Sequence, residues 1–254
     1  MFFLLTLSAA ISLAFGNIFE SIGLRATKSV KSLVKNKFWL GGLFLSVVGV
    51  LLCYTAIDRY NLSLVQPFMA LNPALTAILG WKILGEKMSR KIAFAVVLIF
   101  LGLLIDGTLA GEASGGLRSE KTLWIYAGAV LGLLAVFCLI CLIFRKAEIM
   151  DSLCAGAGFG LFAVFYKSIS LDGLFPPPVD LRIFASAVLY IAAFLCSQVG
   201  LRRGRALFVI PLSGAVGLIV PVLGGIMVFG EPFPLQKVIV IMLVALGLVL
   251  FIRE

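Results

Sequence analysis

The chain has 254 residues, of which 62% are apolar and only 13% charged, with a mean hydropathy of +1.16. Soluble domains of this size are ~45–50% apolar and ~25% charged, so there is too little polar material here to clothe a water-facing surface. A net charge of +9 would point to nucleic acid in a soluble protein. Here the basic residues sit in short connections between apolar segments, where they orient the chain in a bilayer, so a nucleic-acid partner is excluded.

Apolar segments of ~20 residues recur along the whole sequence, the length an α-helix needs to cross ~30 Å of hydrocarbon. The ~10-residue alternating stretches of a transmembrane barrel are missing. Breaks at charged and turn-forming residues predict nine spans, at 2–25, 38–57, 62–84, 91–110, 122–144, 149–170, 180–201, 206–229 and 234–252. The fold class expected is therefore an all-α polytopic membrane protein. No Lys or Arg precedes the apolar stretch of the first span and no small-residue cleavage site follows it, so it is read as a retained helix. The connection at 171–179 carries Pro176, Pro177 and Pro178 as a stiff extended turn.

The side holding the connections after spans 1, 3, 5 and 7, together with the C-terminus, carries fourteen Lys and Arg, against five on the opposite side. By the positive-inside rule the C-terminus is cytoplasmic, and with nine spans the N-terminus is outside. The protein is read as integral to the plasma (inner) membrane.

The sequence also repeats. Leu52-Cys53 and Leu195-Cys196 are 143 residues apart, as are Arg59 and Arg202; Pro67 and Pro211 are 144 apart; Gly85-Glu86 and Gly230-Glu231 are 145 apart. A nearly constant offset across such different residue types implies duplication of a four-helix unit. Equivalent helices are five spans apart, an odd number, so the second copy enters the membrane in the opposite sense. The predicted organisation is repeat 1 at 1–110, a linking helix at 111–148 and repeat 2 at 149–254. Inverted repeats around a midplane site are the architecture of many secondary transporters.

Polar groups inside hydrocarbon are costly, so each is paired or lines a path. Glu20 lies about one and a half turns inside the cytoplasmic end of span 1, and is read as a cation or proton site or as an interfacial acid. Lys167, its counterpart in span 6, is read as an anion-attracting or gating charge or as a snorkelling side chain. Span 3 runs Gln66-Pro67 to Asn72-Pro73 and Thr76, and span 8 holds Pro211, Ser213 and Pro221. Proline removes a backbone donor and frees a carbonyl one turn earlier, so paired broken helices mark a binding site or a structural kink. The candidate substrate-binding residues are Asn17, Glu20, Gln66, Asn72, Thr76, Tyr166, Lys167 and Ser213. Spans 1, 3, 6 and 8 are expected to line a polar cavity, with spans 4 and 9 facing lipid or a partner.

Gly85-Glu86 and Gly230-Glu231 end spans 3 and 8 and are followed by the next helix start, which favours turn and capping roles. Gly128 and Gly132 form a G-x-x-x-G that lets backbones approach, within the chain or between two copies, so a homodimer stays open. Cys138 and Cys141 read C-x-x-C, but in an apolar helix this is ordinary packing. With no His, no phosphate-cradling loop and no pair of carboxylates placed for acid–base work, neither catalysis nor a cofactor is expected.

The repeated unit runs from a helix and hairpin, Tyr54-Thr55-Ala56-Ile57-Asp58-Arg59-Tyr60-Asn61, through a Pro-containing helix ending in Gly-Glu to a Gly-Leu-Leu helix. It resembles the drug/metabolite transporter superfamily, EamA-like, over both halves. Within it, Lys35-Asn36-Lys37-Phe38-Trp39-Leu40-Gly41 and Leu64-Val65-Gln66-Pro67 resemble the NIPA-type magnesium transporter branch. The unit is also similar to a small multidrug resistance protomer, whose proton-binding Glu would fall where this chain has Leu13-Ala14-Phe15, with Glu20 one to two turns further on. The resemblance implies a carrier of a small metabolite or cation working by alternating access, with magnesium transport as the alternative. A lipid-carrier flippase partner or a non-transporting scaffold is the rival from another class.

Overall fold

The computed structural model describes residues 2–27, 29–59, 69, 71–108, 116–171, 180–230 and 235–252. Among them the chain is helical throughout, with no strand: α1 (Phe2–Ala26), a single turn α2 (Val30–Leu33), α3 (Lys37–Arg59), α4 (Leu71–Ile83), α5 (Arg90–Thr108), α6 (Glu120–Ile143), α7 (Ala147–Ser170), α8 (Leu181–Arg203), α9 (Ala206–Phe229) and α10 (Leu235–Ile252). Six of these, α1, α3, α6, α7, α8 and α9, are long and apolar enough to cross a membrane. Expected spans 3, 4 and 9 fall on α4, α5 and α10, and the first part of span 3, with Gln66 and Pro67, lies outside the described residues.

Local chemistry fixes where the helices begin and end. Asn36 Oδ1 accepts the N–H groups of Phe38 and Trp39 at 3.0 and 3.1 Å and opens α3. Ser119 Oγ accepts from Thr122 N at the start of α6, and Asp180 Oδ1 from Arg182 N at the start of α8, each filling a donor that a helix terminus leaves bare. Gly230 closes α9 with φ +69, a left-handed conformation that glycine adopts without steric cost.

The long helices pair closely. α1 packs along α3, and α7 packs along both α8 and α9. A Cβ on Gly42 would stand 2.6 Å from Glu20 N, and one on Gly156 2.4 Å from Ser213 O, so only glycine permits these backbones to approach. α4 bridges α1 and α9, while α5 and α10, the spans expected to face lipid or a partner, pack against each other and α5 also buries Ile92 and Ala95 in the core. Gly128 and Gly132 behave differently, with nothing within 4 Å of a Cβ at either.

One buried cluster joins Leu24, Ala77, Ile92, Leu201, Leu207 and Leu212, and another joins Leu123, Tyr126, Leu161, Phe165 and Phe229. The opposite faces carry exposed Phe44, Leu133, Ile143 and Phe184, an outward apolar surface suited to lipid. Near Pro221, the Tyr126 hydroxyl donates to Val220 O, a side-chain bond that ties α6 to α9 beside the proline.

Candidate functional site

A cavity of about 230 Å³ opens between the first-half helices α1, α3 and α4 and the second-half helices α7, α8 and α9. Of the expected residues, Asn17 and Glu20 reach it from α1, Asn72 from α4 and Ser213 from α9. Thr76 is buried behind them, with its hydroxyl 3.2 Å from Asn72 Oδ1, while Asn17 Nδ2 donates to Asn72 Oδ1 at 3.1 Å. Asn72 precedes Pro73 near the described start of α4, and Ser213 follows Pro211 in α9. The polar residues beside the prolines thus do converge on one space.

Two further expected residues, like Thr76, lie outside the lining. Tyr166 stacks on the Tyr54 ring at 4.3 Å, and Lys167 Nζ lies 4.5 Å above the Phe229 ring, a cation–π contact. Gln66 lies outside the described residues. The expected lining by spans 1, 3, 6 and 8 is corrected in one respect: α3 and α8, spans 2 and 7, line the cavity as well. They supply Ser46, Tyr54, Tyr190, Phe194 and Ser197, which join Phe159 and Phe162 of α7.

Glu20 is 2% exposed and held from both halves. Ser46 Oγ donates to Oε1 at 2.6 Å, and Gln198 Nε2 donates to Oε2. Gln198 is fixed in turn by Trp39, whose Nε1 donates to Gln198 Oε1 at 3.0 Å. A buried carboxylate is tolerable only with such donors. Among the described lining residues Glu20 is the only acidic one and none is Lys or Arg. The space therefore has one potential negative charge, several neutral oxygens and five aromatic rings. That combination suits a small solute with an apolar body and a positive or hydrogen-bonding end.

At the rim, Glu86 takes the capping role expected of it, but at a helix distant in the chain. Instead of capping the next helix, which Ser89 Oγ opens by accepting from Ile92 N, its carboxylate accepts the N–H groups of Ala206 and Leu207 at 2.8 and 2.7 Å, at the start of α9. It also pairs with Arg25. Gln198, Trp39, Ser46 and Glu86 carry no sequence signal of these roles, because each acts through a partner distant along the chain. The cysteines Cys138, Cys141, Cys154, Cys53 and Cys196 are all free thiols. Cys138 faces Cys154 at 3.4 Å, as side-chain packing between α6 and α7.

Apolar outer faces around an internal cavity that holds a few polar side chains define an integral membrane protein of the helical, polytopic class. The EamA-like transporter family model matches residues 1–106. The probable magnesium transporter NIPA9 of Arabidopsis thaliana is 24% identical over 256 aligned positions, covering 89% of this chain and 72% of that protein. The probable 4-amino-4-deoxy-L-arabinose-phosphoundecaprenol flippase subunit ArnE of Klebsiella pneumoniae (strain 342) is 33% identical over 72 positions, 28% of this chain and 64% of that protein. No solved structure gives a significant match. The resemblance to EamA-like members of the drug/metabolite transporter superfamily is borne out, the family model covering the first 106 residues, and the proteins this chain resembles are membrane transporters or transporter subunits by name.

Proposed function

We propose that the protein carries a small solute by alternating access between two inverted four-helix repeats, each half rocking against the other around the cavity. The observation that carries this reading is the composition of the site, since the polar groups around one space come from both halves and Glu20 is bonded across the junction to Gln198. The pairings support it: α1 packs on α3 and α4 as α7 packs on α8 and α9, the match expected of duplicated units. Asn17, Asn72 and Ser213 offer hydrogen bonds to the solute, Glu20 its counter-charge, and Tyr54, Tyr190 and Phe162 the walls.

A second reading, divalent-cation transport, is favoured by the likeness to a probable magnesium transporter. Mg²⁺ asks for about six oxygen ligands and keeps several waters. Both Glu20 oxygens already accept hydrogen bonds and the aromatic rings offer no ligand, so the cavity suits an organic solute better than a bare metal ion.

Flux into proteoliposomes from a panel of organic amines, amino acids and divalent cations tests both readings. Saturable uptake of an organic solute, lost in Asn72→Leu, is expected; Mg²⁺ uptake with no organic competitor would give the second reading its case. For orientation, an impermeant maleimide outside the cell should label Gly115→Cys and spare Lys35→Cys in a variant lacking native thiols. The reverse pattern would invert the topology.

A further inference from the structure

We propose that Glu86 is a latch that holds the cavity shut toward the face bearing Arg25 and Arg205, by capping a helix of the opposite half. The proposal rests on the alternating-access reading and adds to it the contact that must break when this face opens.

α9 begins without a cap of its own, because its flanking residue Arg205 makes no side-chain bond to the first turn. The exposed N–H groups and the positive end of the helix dipole are a natural seat for a carboxylate. Glu86 fills that seat from the far end of α4, about 120 residues earlier in the chain, bonding both Ala206 N and Leu207 N while 7% exposed. Its reach depends on the turn that ends α4. Gly85 takes φ +65, Glu86 N–H donates to Gly80 O at 3.3 Å, and the carboxylate folds back over Gly80, where a Cβ would stand 3.2 Å from Oε2. Arg25, at the end of α1, pairs with the same carboxylate and donates to Gly204 O at 3.4 Å in the α8–α9 turn. One carboxylate thus ties the ends of α1 and α4 to the start of α9.

The contact lies on the same helices that line the cavity, about one to two turns nearer the ends of α1 and α9. Glu20, a lining residue, is five positions before Arg25, about 7.5 Å along the helix, and Ile210, another, is three positions after Leu207. Leu24, Ala77, Ala206 and Leu207, beside the latch, belong to one buried apolar cluster, which in this proposal is the plug that the latch holds in place. Opening toward this face requires the α1 and α4 ends to leave α9, which strips the N–H groups of Ala206 and Leu207 of their acceptor. The closed state is therefore favoured by the latch, and the open state must gain water or other partners there.

The test uses the full-length protein in a variant lacking native thiols, with Ser197→Cys in the cavity wall as reporter, in vesicles of both orientations. An impermeant maleimide applied to the Arg25 face should label the reporter slowly. Glu86→Ala should raise that rate at least about tenfold and lower labelling from the opposite face, a shift of population rather than general loosening. Arg25→Met, which removes a partner 35% exposed, should act in the same direction by about threefold. If Glu86→Ala is too unstable to purify, Glu86→Gln, whose amide can accept only one of the two N–H groups, serves in its place with an intermediate effect. A reporter reached from one face only, at the same rate in every folded variant, overturns the latch while the cavity reading survives. A reporter reached from neither face in the parent protein overturns the cavity reading, and the latch with it.

Discussion

Glu20 in the cavity wall and Glu86 at its rim are both carboxylates of the first half, both buried, and both bonded to the second half, yet their partners differ in kind. Glu20 is held by neutral side chains, the Ser46 hydroxyl and the Gln198 amide, on helices that face the cavity. Glu86 is held by two backbone N–H groups at a helix start and by a guanidinium. Neutral donors leave a carboxylate able to exchange its proton or counter-ion at little structural cost. A helix terminus and an Arg are fixed partners of a carboxylate, so the same side chain becomes a fastening. Under the proposed function, the charge of the donors, and not the depth of burial, is what separates the two carboxylates.

The comparison is broken most directly by removing each acid in turn. Glu20→Gln is expected to abolish the pH dependence of uptake between about pH 5 and 9, while costing less than about 1 kcal/mol of stability, because the amide has similar volume and still hydrogen-bonds. Uptake into proteoliposomes indistinguishable from the parent over that range would make Glu20 a packing residue. Glu86→Ala should do the reverse to stability, costing about 3 kcal/mol for two lost bonds to a charged acceptor and a bare helix start, read as a fall in the denaturation midpoint in detergent.

A third variant sharpens the contrast from the partner's side. Gln198→Leu leaves Glu20 one donor and strands Trp39 Nε1, so about 2 kcal/mol of stability should go. Its effect and that of Ser46→Ala should be non-additive, since both donate to one carboxylate; simple additivity in a double-mutant cycle would mean they do not share it.

The smallest effect is expected at Asp180, just before α8 and outside the spanning segment. The hydrogen bond from the Arg182 guanidinium holds its carboxyl below the ordinary Asp value, with the Arg182 backbone N–H adding to it. A lowered folded-state pKa gives stability that is present above the unfolded value of about 3.9 and is lost as pH falls through the lower, folded value. Asp180→Asn keeps a good helix cap, so it should match the parent at neutral pH and lose less stability below about pH 4, as measured by denaturation midpoints against pH. An identical acid profile in both proteins would remove Arg182 as the cause.

The spans were legible because lipid leaves a chain few options: a backbone in hydrocarbon must bond to itself, and a run of apolar residues long enough to cross becomes a helix. Residues 206–229 are an expected span and an observed helix alike, and the expected 149–170 and 180–201 differ from α7 and α8 by at most two residues at either end. Asn17, Asn72 and Ser213 could be picked out as cavity residues for a related reason, since a polar group in an apolar span is costly wherever it has no partner. Tertiary structure alone decided the partners. That Glu86 would cap α9 and not α5, that Gln198 would cross the junction to Glu20, and that α3 and α8 would share the cavity wall all depend on how helices pack. Packing is set by close approaches such as Gly42 against α1 and Gly156 against α9. A glycine in the sequence announces that some backbone can come near; which backbone does is fixed only when every helix competes for the same contacts.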